Sequence, residues 1–427
     1  MKPTTLVMLL SLPGLAYGQR VELNLDKAIE LALKNNEGVA ISGATLEKAE
    51  TQISKARSGL FPTLKFEYNV VRTRTTPVFQ NTQDAWYRGP SITATQPVYT
   101  FGRLSSAIDL AKSQKSLYEN DFIATKANIE KIAKTFYYSA LFNQELLEIT
   151  QSSYDNASKN NQALKKRVSY GRISRNENLK MQADLASRKP RYIEAQKVYE
   201  TAKIDLANFL GLDPKTEIVF SDKLVAKTRK VKSSNNENFE NLAQVRVLSD
   251  SIAMSKSLES IAKSDHLPTL ALFGSYSPTT YYDDFFSNEI RDQKSYTFGL
   301  KLTFDLPLGG EKFDEVAIKK VETRIAELRY QAGKRQIESR VITITKEYEK
   351  LLEKLDASKT AVSLAQDSYK VALSSFSTGS ISQTQLNDSE LLLTSNKIEY
   401  AQNILQLHLL SAELDELLTE GTNGGIK

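Results

Sequence analysis

Residues 296–310 read YTFGLKLTFDLPLGG, and apolar side chains alternate with polar or small ones over the first eleven positions. Alternation with a period of two predicts a β-strand that has one apolar face. Such a strand suits the wall of a membrane barrel, where about 9 to 11 tilted residues cross the hydrocarbon. Pro307, Gly309 and Gly310 predict the end of the strand, and a very long helix is predicted to follow.

The composition limits the classes of protein to which the chain can belong. The 427 residues are 41% hydrophobic and 25% charged, and no window approaches the ~18 consecutive apolar residues of a transmembrane helix. A helical membrane protein is therefore excluded. The chain has no cysteine, which excludes disulfides, thiolate metal sites and thiol catalysis. The net charge of +5 comes from interspersed charges and gives no reason to expect nucleic-acid binding.

The beginning of the sequence is typical of an export signal. A lysine and a short apolar run occupy residues 1–15, and residues 16–18 form a small-x-small cleavage site. We predict that residues 1–18 are a signal peptide. The alternative is a buried N-terminal helix, which Pro13 and Gly14 would interrupt.

The predicted elements occur in the same order twice. Each half has a helix, two amphipathic strands, a helix long enough to span on the order of 100 Å, a glycine turn and a return helix. The two turns, at Gly171 and Gly379, lie about 208 residues apart. We therefore predict a signal peptide over 1–18, a first repeat over 19–214, a linker over 215–238, a second repeat over 239–421 and a tail over 422–427.

The long helices and the four strands together indicate an assembly. Heptad spacing in the second long helix predicts side-by-side helix packing, with apolar residues at Val341, Tyr348, Leu355, Val362, Tyr369 and Phe376. Four strands cannot close a membrane barrel, because about eight are needed and open edges are not tolerated in lipid. If three copies combine, twelve strands and twelve helical spans can close two coaxial cylinders. A closed cylinder with a polar interior is a conduit.

The duplication, the glycine turns and the motifs that flank the strands resemble those of a known family. The motifs are Leu60-Phe61-Pro62, Leu267-Pro268, Gln96-Pro97-Val98-Tyr99 and Leu306-Pro307-Leu308-Gly309-Gly310. They resemble the TolC-like outer membrane efflux proteins of Gram-negative bacteria over nearly the whole mature length. The resemblance implies a mixed α/β membrane protein, a homotrimer whose 12-stranded outer membrane β-barrel, with four strands per chain, continues into a long periplasmic α-helical barrel.

The resemblance also implies the function and the partners. It predicts the exit duct of a tripartite efflux or type I secretion system, which works with a periplasmic adaptor protein and an inner-membrane RND or ABC transporter. The glycine turns would be the tips that contact the adaptor, formed by Tyr170, Gly171, Arg172, Thr378, Gly379 and Ser380. The residues favour no cargo among drugs, metal ions and polypeptides.

A second set of residues is implied to close the periplasmic entrance. The positions that match the family's acidic rings and polar links are Gln385, Asp388, Glu177, Phe376 and Ile381. Only Asp388 retains a ring carboxylate, and three copies of it around one axis would favour cations. The alternative for Asp388 is a solvated aspartate on a helix face. Phe376 and Ile381 replace polar links, so we expect packing to hold the entrance closed.

The sequence gives no support for an enzyme. It contains no catalytic triad, no phosphate-binding glycine loop and no HExxH motif, so we predict neither catalysis nor a cofactor. The two histidines, His266 and His408, are predicted to have structural roles. The alternative function is that of a secreted coiled-coil scaffold, which would explain the heptads but not the four strands. Insertion into the outer membrane as a detergent-resistant trimer would distinguish the two functions.

Overall fold

The structure, a computed structural model, describes residues 20–75, 83–169, 174–229, 239–282, 291–305 and 309–422. The predicted signal peptide and the first glycine turn lie outside the described residues, and the predicted linker is described only to residue 229. The chain divides into two units, one formed by residues 1–40, 124–237 and 338–419, and the other by residues 41–123, 238–337 and 420–427. We refer to them as unit 1 and unit 2.

Long helices dominate the described part of the chain. The helices are α1 (Leu25–Asn35), α2 (Glu37–Ser58), α3 (Arg103–Ser169), α4 (Arg175–Phe209), α5 (Ala243–Ser264), α6 (Glu311–Thr378) and α7 (Gln383–Leu417). The strands are β1 (Arg20–Leu23), β2 (Thr63–Thr75), β3 (Gln83–Tyr99), β4 (Glu217–Phe220), β5 (Thr269–Tyr282) and β6 (Arg291–Thr303). None of the described helices has both the length and the apolar composition that crossing a membrane requires.

Unit 2 contains a four-stranded antiparallel sheet in the order β2, β3, β5, β6. Its strands extend into residues 72–87 and 278–294, which the sequence predicts to be loops between the strands, because Thr73 pairs with Ala85 and Thr280 pairs with Asp292. Backbone hydrogen bonds continue the ladder there although the side chains no longer alternate between apolar and polar. The hydrophobic alternation therefore reveals only the apolar middle of each strand.

The four helices of unit 2 follow the lateral order of their strands. A salt bridge of 3.1 Å joins Lys115 on α3 to Glu50 on α2. On α5, Asp250 accepts a hydrogen bond of 2.9 Å from Asn120 on α3. The contact between α5 and α6 includes a hydrogen bond of 3.2 Å from the Thr323 hydroxyl to a carboxylate oxygen of Glu259 on α5. Consequently α2 and α6 are the two outer helices of unit 2, just as β2 and β6 are the outer strands.

The beginning of the described chain forms two helices, α1 and α2, whereas the sequence predicts one continuous helix over residues 25–58 with Asn24 as its cap. The predicted cap is confirmed, because Asn24 Oδ1 accepts a hydrogen bond of 2.9 Å from the backbone N–H of Lys27. The prediction of a continuous helix is wrong at Asn36, which has an extended backbone between α1 and α2. The side chain of Asn36 accepts a hydrogen bond of 2.8 Å from the Gly38 N–H. Such local bonding by asparagine competes with the helical pattern and breaks it.

Unit 1 also contains a parallel ladder that the sequence did not predict. Strand β1 pairs with β4, in register from Arg20 with Glu217 to Leu23 with Phe220. Next to the ladder, the hydroxyl of Tyr137 donates a hydrogen bond of 2.7 Å to Asp222. Four residues are too few for a period to be recognised, so β4 was read as part of the linker.

The heptad stripe of α6 lies in the core of unit 1. Val341, Ile344 and Tyr348 are almost completely buried, and Leu351 and Leu355 continue the stripe. The prediction that these residues form a packing seam is confirmed. The seam fixes which face of α6 points away from solvent as the helix approaches the turn at Gly379.

Candidate functional site

The sheet of unit 2 presents one continuous apolar face. Residues that are directly opposite in neighbouring strands share a face, so the register defines rows across all four strands. Two of these rows are Leu64, Ala94, Gly274, Phe298 and Phe66, Ile92, Tyr276, Tyr296. In the single chain Phe298 is 88% exposed and Leu64 is 74% exposed. The predicted one-sided strand is thereby confirmed, and an apolar face of this size marks a contact with lipid or protein.

The opposite face of the sheet is polar. Lys65 and Glu67 form a salt bridge of 2.6 Å on β2, and Lys301 lies on the corresponding face of β6. The aromatic ring of Phe273 also lies on this face and packs over Gly299. A Cβ atom at Gly299 would lie 3.3 Å from that ring, so glycine makes room for it. The sheet thus separates an apolar surface from a polar one.

The second glycine turn, in unit 1, is closed by backbone hydrogen bonds. Gly379 has a φ of +82°, its N–H bonds to the Phe376 carbonyl at 3.1 Å, and the Ser380 N–H bonds to the Ser375 carbonyl at 2.9 Å. This pattern is a Schellman termination of α6, which depends on a residue that tolerates a left-handed backbone. The exposed residues Thr378, Gly379 and Ser380 form the tip between α6 and α7.

Gln385 caps the helix that follows this tip. The Gln385 side chain accepts a hydrogen bond of 2.9 Å from the backbone N–H of Ser382, and the Ser382 hydroxyl accepts one of 3.3 Å from the Gln385 N–H. In the other half, the Ser174 hydroxyl accepts a hydrogen bond of 3.2 Å from the backbone N–H of Glu177. Gln385 and Glu177 therefore occupy the same capping position of α7 and α4. Tyr170, Gly171 and Arg172 lie outside the described residues.

The remaining sequence-predicted entrance residues are divided between a core and a surface. Phe376 belongs to a buried cluster with Met181, Ala372 and Leu386, and Ile381 packs against that cluster. Asp388 lies on the exposed face of α7. The structure therefore brings Phe376 and Ile381 together beneath the tip and leaves Asp388 free of that core.

A buried ion pair near these residues was missed by the sequence. Arg188 on α4 and Glu390 on α7 are 4% and 2% exposed, and their Nη1 and Oε2 atoms are 2.8 Å apart. Arg188 also donates from Nε to Asp184 at 2.9 Å and from Nη1 to the Ser153 hydroxyl at 2.8 Å. The pair thus joins α3, α4 and α7. A sequence signal was present, because Glu390 lies on an apolar stripe with Leu386 and Leu393.

The burial of Glu390 raises the pKa of its carboxyl above the ordinary value, and the neighbouring Arg188 guanidinium opposes that rise. The same charges act on the neighbouring Tyr369, whose pKa is raised by burial and by Glu390. The charged groups of Arg188 and Glu390 therefore lie in a poorly solvated environment. Removal of one partner leaves the other charge with little compensation.

Both histidines hydrogen-bond to backbone carbonyls. In His408, Nε2 lies 2.9 Å from the Val225 oxygen and the ring stacks on Tyr138 with centroids 3.7 Å apart. Burial lowers the pKa of His408. In His266, Nε2 lies 2.7 Å from the Lys312 oxygen. Among the described residues no group of histidine and carboxylate side chains is arranged to hold a metal ion.

Gly379→Val is expected to loosen the tip, whereas Gly379→Asn should be tolerated. No described atom lies within 4 Å of the position that a Cβ would take, so space is not limiting. The positive φ costs a β-branched residue roughly 1–2 kcal/mol, and asparagine adopts it more readily. Hydrogen exchange at the end of α6 and the start of α7 measures this difference. Equal protection in the two variants would contradict the role assigned to the backbone of Gly379.

Comparison with known proteins identifies a protein family and solved structures of similar fold. The family model described as outer membrane efflux protein matches residues 28–212 and 251–420. A comparison with curated proteins finds no match. Among solved structures, the outer-membrane channel OprN has a TM-score of 0.82 at 16% identity, with 93% of this chain and 90% of that chain covered.

Two further solved structures have a similar fold. The Campylobacter jejuni CmeC outer membrane channel has a TM-score of 0.79 at 15% identity, covering 92% of this chain and 85% of that one. The Vibrio cholerae outer membrane protein VceC has a TM-score of 0.78 at 16% identity, covering 93% and 96%. The two family-model matches together cover well over half of the sequence. The chain belongs to the outer membrane efflux protein family, and it is an outer membrane protein with a large helical portion in the periplasm.

Proposed function

We propose that this chain is the outer membrane exit duct of a tripartite efflux or type I secretion system, and not an enzyme. One observation carries the proposal, the continuous exposed apolar face of the sheet in unit 2. Such a face suits lipid, but open edges at β2 and β6 are not tolerated there. Other copies of the chain must therefore complete the sheet. A secreted scaffold would have no use for an exposed apolar sheet.

Three copies would supply twelve strands and close the barrel, with the helices continuing as a second cylinder in the periplasm. The proposed two-fold repeat is supported by the lengths of the helices, since α3 and α6 have 67 and 68 residues and α4 and α7 have 35 each. The two separate family matches also support it. The two repeats would comprise residues 19–214 and 239–421. Residues 1–18 would be a signal peptide, residues 215–238 a linker and residues 422–427 a tail.

The helix tips would face the adaptor protein, which connects the duct to an RND or ABC transporter of the inner membrane. We assign this contact to residues 170–172 and 378–380. The closed turn at Gly379, with its exposed polar neighbours, supports a tip that can receive a partner. The caps at the start of α7, formed by Ser382 and Gln385, and at the start of α4, formed by Ser174, would hold the return helices in place next to the tips.

The entrance would combine an acidic ring with apolar packing. Asp388 is exposed on α7, so three copies of it can converge on one axis. Phe376 and Ile381 lie in or against the buried cluster beneath the tip, which supports packing in place of the polar links. Three carboxylates in a narrow aperture repel one another, and a multivalent cation relieves that repulsion.

Purified protein in planar bilayers tests this function. We expect cation-selective channels that hexammine cobalt blocks from the periplasmic side. Asp388→Asn should weaken the block by about tenfold or more, because three charges are lost at once. Gln385→Asp should strengthen it. Asp367→Asn, which changes an exposed aspartate on α6, is the matched control and should leave the block unchanged.

The possible results distinguish the proposed channel function from the proposed ring of Asp388 carboxylates. A stable protein that inserts into the bilayer without conducting would contradict the proposed duct. Conducting channels whose block is unaltered in Asp388→Asn would place the constriction elsewhere, in the packing around Phe376 and Ile381.

A further inference from the structure

The end of the sheet that lies away from the helices carries a cluster of cations. Helices α2 and α5 lead into β2 and β5, and strands β3 and β6 lead into α3 and α6, so the four helices join the sheet at one end. Because the helical portion is periplasmic, the other end of a membrane-spanning sheet reaches the outer leaflet. Near that end lie four exposed cations, which we call the basic cluster: Arg72 and Arg74 on β2, Arg88 on β3 and Lys294 on β6.

The basic cluster lies on the same face of the sheet as the apolar side chains. In the register, Arg88 is opposite Val70, and Lys294 is two residues beyond Tyr296. The two arginines of β2 follow Val70 at intervals of two residues, which keeps them on this face. The residues that alternate with them belong to the polar face and are uncharged, namely Asn69, Val71 and Thr73 on β2 and Tyr87 on β3. A need for solvation alone would not confine the cations to the face that is proposed to contact lipid.

Aromatic side chains separate the basic cluster from the apolar rows. Tyr276 and Tyr296 are paired across β5 and β6 with their ring centroids 4.8 Å apart, and Tyr68 lies in the next row toward the cluster. Beyond them, the guanidinium of Arg72 lies 5.9 Å from the centroid of the Trp86 ring. Tyrosine and tryptophan are typical of the boundary between hydrocarbon and head groups. The order along this face is therefore apolar, aromatic and then cationic.

The backbone also changes at the level of the basic cluster. Pairing between β3 and β5 is interrupted between Arg88 and Ile92, where Pro90 on β3 and Pro278 on β5 have no N–H to donate. At Gly89 the two strands approach so closely that a Cβ would collide with the Pro278 carbonyl oxygen. Interrupted backbone pairing is costly in hydrocarbon, so this level belongs at or beyond the edge of the hydrocarbon.

The length of the apolar part of β6 agrees with this boundary. Leu302 lies near the end of β6 that leads to the helices, and Lys294 is eight positions away from it. At about 3.4 Å per residue and a tilt of about 40°, this stretch crosses roughly 21 Å of the bilayer, which is close to the ~25 Å height of the apolar band of membrane barrels. Lys294 therefore lies at the level of the head groups of the outer leaflet.

We propose that the basic cluster binds the phosphate groups of lipopolysaccharide, the phosphorylated glycolipid of the outer leaflet. Three of its four cations are arginines, and a guanidinium group forms paired hydrogen bonds with phosphate. Two acidic residues belong to the same rows, Asp84 opposite Arg74 and Asp292 opposite Thr280, so the four cations outnumber the anions. The acyl chains of the same lipid would cover the apolar rows. The inference rests on the proposed contact of the sheet with lipid and assigns the class of lipid at its outer end.

The single tryptophan of the chain makes binding at the basic cluster measurable. Trp86 lies beneath Arg72, so a lipid that binds the cluster should change the fluorescence of this tryptophan. The full-length protein, freed of lipid in detergent, would be titrated with bisphosphoryl lipid A, with monophosphoryl lipid A and with phosphatidylglycerol. We expect saturable binding of bisphosphoryl lipid A that is about tenfold tighter than binding of either other lipid, because it carries the most phosphate charge.

A pair of double variants tests which cations bind the phosphates. Arg88→Gln combined with Lys294→Gln removes two members of the basic cluster and leaves the fluorescent reporter and the arginine above it in place. It should weaken the binding of bisphosphoryl lipid A by about tenfold or more. The matched control is Lys65→Gln combined with Lys301→Gln, which removes two cations from the polar face of β2 and β6. The control should leave the affinity unchanged.

Three results would overturn the site. Equal affinity of the wild-type protein for the two forms of lipid A would contradict it, and this comparison is decisive even if a variant does not fold. Equal weakening in the two double variants would show that the effect is not specific to the basic cluster. Phosphatidylglycerol that binds as tightly as bisphosphoryl lipid A would show that any anionic lipid suffices, and the assignment to lipopolysaccharide would fail.

Conductance in planar bilayers separates this site from the proposed function. Conducting channels that show no preference for bisphosphoryl lipid A would overturn the lipid site and leave the exit duct intact. A protein that binds bisphosphoryl lipid A preferentially but does not conduct would overturn the duct and leave the lipid site.

Discussion

Arg188→Met is expected to weaken the helical packing of unit 1 by about 3–5 kcal/mol, because it leaves the buried Glu390 carboxylate without its partner. The loss should appear as faster hydrogen exchange in α4 and α7, since the ion pair joins these helices. Glu390→Gln should cost less, because Arg188 keeps Asp184 at 2.9 Å. A larger effect of Arg188→Met than of Glu390→Gln would indicate that the loss comes from an uncompensated buried charge and not from a general loss of packing.

The effect of Arg188→Met should depend on pH. Burial already raises the pKa of Glu390 above its ordinary value of 4.5, and loss of the guanidinium raises this pKa further. A carboxyl whose pKa is higher in the folded state contributes its full stability below the ordinary pKa and loses it as the pH rises through the folded pKa. The variant should therefore be close to wild type near pH 4.5 and most weakened at pH 8.

A double variant provides the control for this prediction. Arg188→Met combined with Glu390→Leu removes both charges, and such apolar replacements of buried pairs are often neutral or stabilising. We expect the double variant to recover most of the protection lost by Arg188→Met. Equal exchange in the single and double variants would contradict the assignment of the effect to an uncompensated charge.

Leu300→Arg is expected to prevent insertion into the outer membrane. Leu300 lies on the apolar face of β6, opposite Leu272 and 68% exposed in the single chain. A charge on the lipid face of a barrel costs about 2–4 kcal/mol at the bilayer midplane, and a trimer would bear this cost three times. The fraction of protein that is recovered as a folded, detergent-resistant trimer from outer membranes measures the effect.

The control for Leu300→Arg lies on the same strand. Thr297 belongs to the opposite, polar face of β6, together with Lys301. Thr297→Arg places the same side chain three residues away, but toward the polar side of the sheet. It should insert normally. Equal loss in both variants would mean that the apolar face does not contact lipid.

The regular elements of this protein were largely readable from its sequence, because long periodic segments carry strong signals. The return helix that the sequence predicts between the first glycine turn and the linker agrees with α4, and the alternation in residues 296–306 predicted the apolar face of β6. The elements that the sequence did not predict have only weak local sequence patterns. The four-residue β4 is too short for a period to be recognised, and the beginning of β3, which pairs with the end of β2, lacks the apolar alternation of the middle of the strand.

The candidate site was predictable only where it depends on local structure. The sequence identified Gly379 as a turn, because glycine before a new helix favours a left-handed backbone. It did not reveal that Gln385 caps α7 or that Arg188 meets Glu390, since the second contact joins residues far apart in the chain. Long-range ion pairs depend on the relative rotation of packed helices, which a heptad pattern does not specify.

The β1–β4 ladder constrains the order in which unit 1 folds. Its first pair, Arg20 with Glu217, joins positions 197 residues apart, and the backbone N–H of Leu25 reaches Asp222 across a similar separation. Closing so long a loop is entropically slow, whereas α3 and α4 are neighbours in the chain and can pair early. We expect this ladder to form after the helical hairpin. The N-terminal strand would therefore remain an unpaired edge for longer than any helix, and a chaperone that binds extended segments would find it there.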